Sequence, residues 1–321
     1  MTEQDNQSEL HRLRAENRRL RDLLESHGID WRPARPTDAI ATSSLTTHQK
    51  VALFRRLFQG RTDVYPIRWE NRSGKSGYTP ACANEWKAGV CEKPRIKCSD
   101  CTRRRLIPVT DQTIYDHLTG QHTIGVYPLL EGDSCHFLAV DFDKADWRED
   151  AQAFVQSCRE LDVPVALEVS RSGNGAHAWI FFASRVPARE ARQLGTALIS
   201  HTCSRTRQLE LTSYDRLFPN QDTLPKGGFG NLIALPLQKF PRQRGGSIFV
   251  DDALQPFPDQ WTFLASIRPM KPGDIESVIL KATGGSHPLD VNFVTEEDLA
   301  EPWLTSFISR KPSFRRCWQT V

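Results

Sequence analysis

The sequence lacks a long apolar run, and it lacks a marked excess of charge of either sign. No hydrophobic stretch approaches the roughly 20 residues that a membrane-spanning helix needs. The 42 basic and 39 acidic residues leave a formal net charge of only +3. The first residues are charged throughout and have no apolar core of the kind found in a secretory signal. These absences lead us to expect a cytoplasmic protein without a membrane partner, with the ordinary composition of a globular domain.

The pattern of the chain divides it into five segments. Residues 1–28 predict an N-terminal helix with leucines on heptad a and d positions. A short coiled coil that forms a homodimer through residues 8–26 is one hypothesis, and a lone amphipathic helix is the other. Residues 29–46 are typical of a linker, and residues 47–120 combine helices with a basic, cysteine-bearing stretch. The main body spans 121–270, and a helical and loop-like extension spans 271–321.

The main body mixes strands with helices. We predict helices at 47–58, 111–118, 147–161 and 187–202, and strands at 124–130, 136–142, 165–169, 177–182, 209–212, 229–235 and 248–250. Both kinds of element at this density indicate an α+β or α/β sheet domain.

Two aspartates follow an apolar strand at 137–140. Because alternate side chains of a strand share a face, Asp141 and Asp143 are expected to point the same way while Phe142 enters the core. Neighbouring carboxylates repel each other unless a cation lies between them, and hard oxygen ligands select Mg²⁺ or Mn²⁺. Two such ions can clamp the attacking and leaving oxygens of a phosphoryl transfer. The alternative is a strand end with two solvated acids.

A glycine-rich turn joins the next two predicted strands. Two glycines and an asparagine at 173–175 permit left-handed backbone and the close approach of a ligand. Successive backbone N–H groups of such a turn can hold an anion, and Arg171, Ser172 and His177 add side-chain donors. The turn is therefore a candidate phosphate-holding loop, with a tight turn beside a structural histidine as the alternative.

A third acid precedes a second glycine-rich stretch. Asp215 is a candidate third metal carboxylate, and Asn220, Gln221 and Lys226 are candidate contacts to a triphosphate. Three glycines between 227 and 230 suggest backbone that runs close to a bulky group. On physical grounds alone, a surface loop is the favoured alternative.

Four of the eight cysteines cluster in the basic stretch. Disulfides are not expected in the cytoplasm, whereas four thiolates can bind Zn²⁺ and fold a segment that has little core of its own. The C-x-x-C knuckle within the cluster favours a structural zinc site, with redox or free thiols as alternatives. The ligands would be Cys82, Cys91, Cys98 and Cys101, with His117 or His122 as a replacement for one of them.

Together, the acidic and glycine-rich motifs resemble those of the archaeo-eukaryotic primase superfamily. The signature of that superfamily runs from a D-h-D/E strand through an s-x-H strand entry to an h-D motif. The same order occurs here at Asp141 and Asp143, at 175–177 and at 214–215. Gly175 departs from the pattern at the small-residue position, which leaves Ser172 as the candidate source of a hydroxyl group.

The primase domain of TOTE conflict systems, large proteins that pair a primase with helicase and nuclease modules, is more similar still. The similar segments lie at 53–65, 117–120, 217–222, 228–231 and 235–237, within roughly residues 48–270. The resemblance implies an α+β primase catalytic core over 121–270, in which an RNA-recognition-like antiparallel sheet bears the acids. The N-terminal helix and the small zinc-binding module would be attached to this core. Helicase and nuclease modules in a longer protein or operon are expected partners.

The activity implied by this resemblance is template-dependent nucleotidyl transfer by a DNA or RNA primase-polymerase. Asp141, Asp143 and Asp215 would hold two divalent ions, and His177 with the turn before it would hold the phosphates of an NTP or dNTP. The expected partners are this nucleotide and a single-stranded or primed nucleic-acid template. Two alternatives stay open: a non-catalytic zinc-containing nucleic-acid-binding module, and a metal-dependent nuclease, which also uses clustered aspartates.

Overall fold

A computed structural model of the chain describes residues 44–143, 145–205 and 213–284, together with Arg12, Glu16, Arg19, Leu20 and Leu23. No helix within these residues is long and apolar enough to cross a bilayer. The elements in chain order are α1 (Thr47–Leu57), β1 (Pro66–Glu70), β2 (Ser76–Pro80), α2 (Asp111–Thr119), β3 (Gly125–Val126), β4 (Ser134–Asp143), α3 (Trp147–Glu160), β5 (Ala166–Val169), β6 (Gly175–Pro187), α4 (Ala188–Arg205), β7 (Tyr214–Phe218), β8 (Ile233–Ala234), α5 (Lys239–Arg242), β9 (Ile248–Val250), α6 (Gln260–Ser266), a 3₁₀ turn (Pro272–Asp274) and α7 (Ile275–Ala282).

Five strands form the main sheet, in the order β7-β4-β6-β5-β9. Every neighbouring pair is antiparallel, and the register pairs Asp141 with His177 and Asp143 with Gly175. The pairs β1–β2 and β3–β8 form two smaller antiparallel sheets. The protein is therefore a mixed helix-and-sheet fold built on antiparallel sheets.

One face of the main sheet packs against α3, α4 and α7. Leu138, Val140 and Phe142 of β4 enter this core, with Phe154 of α3 and Leu194 of α4 among their neighbours. All five side chains are fully buried. Burial of a large apolar side chain contributes roughly 1.5–3 kcal/mol, so this layer fixes β4 firmly in the middle of the fold.

The opposite face carries an aromatic core under α1. Phe137, Trp179 and Phe181 project from β4 and β6. Phe58, directly after α1, meets the rings of Trp179 and Phe181 edge-on, and Phe54 of α1 packs beside it. Helices α1 and α2 thus share a core with the main sheet. The acidic end of β4 lies on the same face, where it reaches solvent.

The long strands of the main body are present with shifted ends. The strand predicted at 136–142 spans Ser134–Asp143, and the one predicted at 177–182 spans Gly175–Pro187. The apolar centre of each strand was recognisable in the sequence. The polar ends also belong to the strands, because β4 and β6 continue alongside each other and stay paired there. The predicted helix at 187–202 begins at Ala188, directly after Pro187 ends the strand.

Two predicted strands were wrong over most of their length. The stretch at 124–130 forms only a two-residue strand, Gly125–Val126, and the stretch at 229–235 forms only Ile233–Ala234. Their apolar side chains, such as Leu129 and Leu235, are buried although they project from loops. Hydrophobicity alone therefore did not distinguish these buried loops from strands that are hydrogen-bonded in a sheet. The hairpin β1–β2 was not predicted.

Some predictions fall on residues outside the described part. These are the strand at 209–212, the linker at 29–46 for all but its last residues, and the extension beyond 284. The five described residues before Ser44 have helical backbone. The N-terminal helix as a whole and its coiled coil stay predictions.

Candidate active site

The acids at the end of β4 belong to a compact cluster. Asp141 and Asp143 alternate with Phe142, which is buried in the core on the opposite face. Asp141 is half-buried and Asp143 is exposed. One carboxylate oxygen from each, together with one from Asp215, lies within 4.8 Å of the others. Within the described residues, this is the group of three possible ligands that could surround one metal ion.

Asp215 reaches this cluster through an irregularity in strand pairing. β7 pairs Arg216 with Asp141 but Tyr214 with Phe142, so Asp215 is an extra residue without a register partner on β4. Such a bulge redirects a side chain and bends the strand. In a regular register, Asp215 would stand opposite Phe142 and face the buried core. The bulge therefore allows the third acid to join the other two.

A row of polar side chains crosses the sheet at the level of Asp141. His177 of β6 is the register partner of Asp141, and Glu168 of β5 is the register partner of His177. His177 Nε2 lies 3.5 Å from Asp141 Oδ1, and His177 Nδ1 lies 3.0 Å from Glu168 Oε2. The imidazole is thus held between an acid of the cluster and a buried carboxylate.

Burial and close charges perturb the titration of this row. Burial raises the pKa of Asp141 to about 6, and the carboxylates of Asp143 and Asp215 act in the same direction against the opposing effect of His177. Burial alone lowers the pKa of His177, but the nearby carboxylates, Glu168 first among them, outweigh it and raise the pKa to about 9. A cluster in which ionisation of one acid is opposed by its neighbours is stabilised by a bound cation.

The turn between β5 and β6 runs beside the acids. A Cβ on Gly175 would lie 2.6 Å from Asp143 Oδ1 and 2.6 Å from the carbonyl oxygen of Phe142. Steric crowding therefore explains why a glycine, and not a larger residue, occupies this position in this chain. Ser172 Oγ accepts a hydrogen bond of 3.1 Å from a backbone amide of the turn and lies 3.0 Å from Ser170 Oγ. The hydroxyl group of Ser172 is thus part of the turn itself.

Arg171 lines a basic cavity beside this turn. The cavity has a volume of about 350 Å³, and Ser172 and Arg244 also line it. Burial and the guanidinium groups of Arg68 and Arg244 lower the pKa of Arg171. Its Nε atom is buried and has no hydrogen-bond partner among the described residues. An anion in the cavity would supply both an acceptor and a counter-charge.

Sequence reasoning did not single out Glu168, Arg68, Arg216 or Arg244. A signal existed for Glu168, because an acid in an otherwise apolar strand has to find buried partners. The arginines carry no comparable local signal. They reach the site through the hairpin β1–β2, through β7 and through the loop after α5, so only the folded chain brings them there.

The loop after β7 is anchored at Asp222, which forms an ion pair with Arg192 of α4. The side-chain oxygens of Asn220 and Gln221 are buried without hydrogen-bond partners among the described residues, and Lys226 is exposed. Those oxygens only accept hydrogen bonds, so a phosphate contact from either side chain would have to come from its amide N–H groups. The predicted triphosphate contacts of this loop stay predictions.

Arg104 joins this loop to the cysteine segment. Its guanidinium donates to the carbonyl oxygens of Cys98 and Ser99 at 3.1 Å each and to that of Gly227 at 2.9 Å. It also lies 5.3 Å from the centre of the Phe229 ring. A planar guanidinium can serve several acceptors at once. Arg104 therefore connects the C-x-x-C knuckle with the second glycine-rich stretch.

The four clustered cysteines are half-buried free thiols. Within the described residues, no three of their sulfur atoms come within 4.8 Å of one another. Cys82 Sγ accepts backbone hydrogen bonds from Asn84 at 3.4 Å and from Arg105 at 3.3 Å. Outer hydrogen bonds of this kind support metal-bound ligands. The zinc site at Cys82, Cys91, Cys98 and Cys101 stays a prediction.

His117 is not available to replace a cysteine, which corrects one of the alternatives above. It is fully buried at the end of α2, where Nδ1 accepts a hydrogen bond of 3.2 Å from the Ile124 amide and Nε2 lies 2.9 Å from the Pro236 carbonyl oxygen. Both ring nitrogens are thus occupied, and burial lowers the pKa of His117 to about 4. His122 is exposed and joins no group of three possible ligands within the described residues.

Comparisons with known proteins identify the family. A comparison with curated proteins gives no match. Among solved structures, the chain is similar to the polymerase domain of Mycobacterium tuberculosis ligase D, in a structure with DNA. The identity is 12% and the TM-score 0.36, over 75% of this chain and 90% of that one. A family model described as the Archaeo-Eukaryotic Primase domain of the TOTE conflict system matches residues 49–278. That match spans the main sheet, its acids and both helical layers, and the chain belongs to this primase domain family.

Proposed function

We propose that this chain is a template-dependent nucleotidyltransferase, a DNA or RNA primase-polymerase. The observation that carries the proposal is the cluster of Asp141, Asp143 and Asp215, whose oxygens lie within 4.8 Å of one another, beside His177. Membership of a primase family supports the same type of chemistry. Nucleotidyl transfer depends on positioning and charge neutralisation more than on a protein nucleophile.

The residues of the cluster fit divalent cations. Carboxylate oxygens this close repel one another, and the raised pKa of Asp141 reflects burial first and that repulsion second. Donor sets made only of oxygen favour Mg²⁺ or Mn²⁺. Asp141, Asp143 and Asp215 would hold two such ions, which when bound supply Lewis-acid stabilisation of phosphate charge.

The chain's own groups would bind and orient the nucleotide. His177 directs Nε2 toward the acidic cluster, which suits a contact with a phosphate oxygen. Arg171 and Arg244, which line the basic cavity, would neutralise the rest of the triphosphate of an NTP or dNTP, with the positive charge of Arg68 nearby. With the nucleotide bound in this way, the α-phosphorus would lie beside the acids, where the 3′-hydroxyl of a primer or a hydroxyl of a second nucleotide would attack it.

The remaining parts of the proposal concern partners. A single-stranded or primed template is the proposed nucleic-acid partner, and the cysteine segment is proposed to hold one structural zinc ion. A homodimer through residues 8–26 and association with helicase or nuclease modules also belong to the proposal. Sedimentation at high protein concentration tests the dimer, since a monomer there would contradict it.

Incorporation of labelled nucleotides tests the reaction. Wild-type protein with Mg²⁺ or Mn²⁺ should extend a primed strand or start one on an unprimed single strand. The double variant Asp141→Asn and Asp143→Asn should lose activity on the order of 10³-fold or more, with an unchanged melting temperature. The matched control is Asp162→Asn, because Asp162 is exposed after α3 in a left-handed conformation that asparagine also adopts.

The same assay separates the alternatives. Retained incorporation in the double variant would refute the assignment of the site. Degradation of the template in place of extension would identify a metal-dependent nuclease. Template binding without either reaction would identify a nucleic-acid-binding module.

A further inference from the structure

Glu168 is a charged residue in a strand whose other residues are apolar. The residue is 1% exposed, while Leu167 and Val169 on either side of it pack into the core on the opposite face of the sheet. A buried carboxylate is costly unless hydrogen bonds compensate for the loss of water. The partners of Glu168 therefore explain why an acid occupies this position.

Both partners of Glu168 lie on β6. Its Oε2 atom lies 3.0 Å from His177 Nδ1 and accepts a hydrogen bond of 2.9 Å from Trp179 Nε1. Trp179 is fully buried, meets Phe58 edge-on and stacks on Phe181. The carboxylate thus meets a packed indole on one side and the imidazole on the other.

This pairing sets the orientation of the imidazole. A carboxylate only accepts hydrogen bonds, so the nitrogen that faces it carries the proton. His177 Nδ1 is then the donor to Glu168, and Nε2 is directed to the opposite side, 3.5 Å from Asp141 Oδ1. A carboxylate behind a histidine fixes its ring angle and keeps a proton on the nitrogen that faces it, as it does in many metal and catalytic sites.

We propose that Glu168 is a positioning residue, which holds His177 so that Nε2 faces the acidic cluster and the phosphates of the nucleotide. The inference rests on the proposed function and deepens it, because it names a residue that acts on the nucleotide only through His177. Glu168 itself lies behind the imidazole and touches no substrate.

The kinetic test is a double-mutant cycle on nucleotide incorporation. Glu168→Gln preserves the shape of the side chain but replaces the carboxylate with an amide. We expect KM for the nucleotide to rise about tenfold, within the range found for residues behind a ligand-binding histidine, with a smaller change in kcat. In a His177→Ala background, Glu168→Gln should change KM no further. An equal rise in KM in that background would overturn the inference, since Glu168 would then act through the fold.

A matched control uses the other partner of Glu168. Trp179→Phe removes the indole donor but leaves the contact between Glu168 and His177. The variant should keep KM for the nucleotide within about twofold of the wild type, even if its melting temperature falls because of the altered core. A rise in KM as large as that of Glu168→Gln would contradict a specific route through His177.

A measurement without turnover separates this inference from the proposed function. In protein labelled with ¹⁵N-histidine, the signals of His177 are assigned by their loss in His177→Ala. Wild-type His177 should be protonated at Nδ1, and Glu168→Gln should change the signals of both ring nitrogens. An unprotonated Nδ1 in the wild type, or identical signals in the variant, would overturn the inference. If these signals behave as expected but the wild type incorporates no nucleotide, the proposed function fails while the positioning of His177 by Glu168 stands.

Discussion

Replacing Gly175 of β6 with alanine should displace the acids at the end of the neighbouring strand, β4. The added Cβ would lie 2.6 Å from Asp143 Oδ1 and 2.6 Å from the carbonyl oxygen of Phe142, and real Cβ atoms essentially never approach closer than 3.0 Å. The carboxylate of Asp143 can rotate away. The carbonyl belongs to the backbone of β4, so β4 and β6 must separate by about 0.4 Å or more at this point.

The separation moves the end of β4 that carries both acids. Misplacing reacting groups by about 1 Å costs on the order of 10²-fold in rate. A shift of about half that size, added to the rotation of Asp143, should lower kcat/KM for nucleotide incorporation about 10- to 100-fold. Overpacking at a buried position should cost about 1–3 kcal/mol of stability, so most of the protein should stay folded.

Initial rates on a primed template, measured against nucleotide concentration, check this expectation beside a thermal unfolding curve. Gly273→Ala is the matched control, because nothing lies within 4 Å of its added Cβ and its backbone is not left-handed. That variant should stay within about twofold of the wild type. A Gly175→Ala protein with wild-type kcat/KM would refute the reasoning, since the cluster would then tolerate the displacement.

Acid should destabilise the fold through His117. Its pKa is about 4 in the folded protein and 6.5 ordinarily, so its contribution is complete above pH 6.5 and is lost as the pH falls toward 4, about 3 kcal/mol in all. His117→Gln should flatten the free energy of unfolding in urea over this range, and curves parallel to the wild type would contradict this. Arg104→Lys should loosen the loop at Gly227, because an ammonium cannot replace a guanidinium that serves three carbonyls. Amide hydrogen exchange of that loop should rise at least about tenfold, and unchanged exchange would mean that other contacts hold it. Purified protein should contain about one zinc ion per chain and should lose it when Cys98 and Cys101 are both replaced by serine. A folded, metal-free wild type would rule out the zinc site.

Local patterns predicted the central strands well. The apolar run before Asp141 and the turn signals before His177 identify β4 and β6 because burial and turn chemistry act over a few residues. The same patterns failed at 124–130 and 229–235, where buried apolar side chains belong to loops. Hydrophobicity indicates that a side chain is buried. A buried side chain in a large core can project from a loop as well as from a strand that is hydrogen-bonded in a sheet.

The candidate site likewise has features that local sequence patterns predicted and features that they left open. The alternation of Asp141 and Asp143 on one face follows from strand geometry alone, whatever surrounds the strand. The resemblance to a primase family was also readable in the sequence, and the family match over 49–278 confirms the family. The role of His117 as a possible zinc ligand was open in the sequence and is excluded by the two hydrogen bonds of its buried ring.

The sequence by itself therefore predicted which short segments form the candidate site, and it determined that Asp141 and Asp143 share a direction. Only the tertiary structure decided that the bulge in β7 turns Asp215 toward them, that Glu168 stands behind His177, and that separate segments bring arginines to the cavity beside Arg171. The physical reason is that register and packing depend on contacts between residues far apart in the chain. The free energy of such contacts is summed over the whole fold, and no local pattern records it.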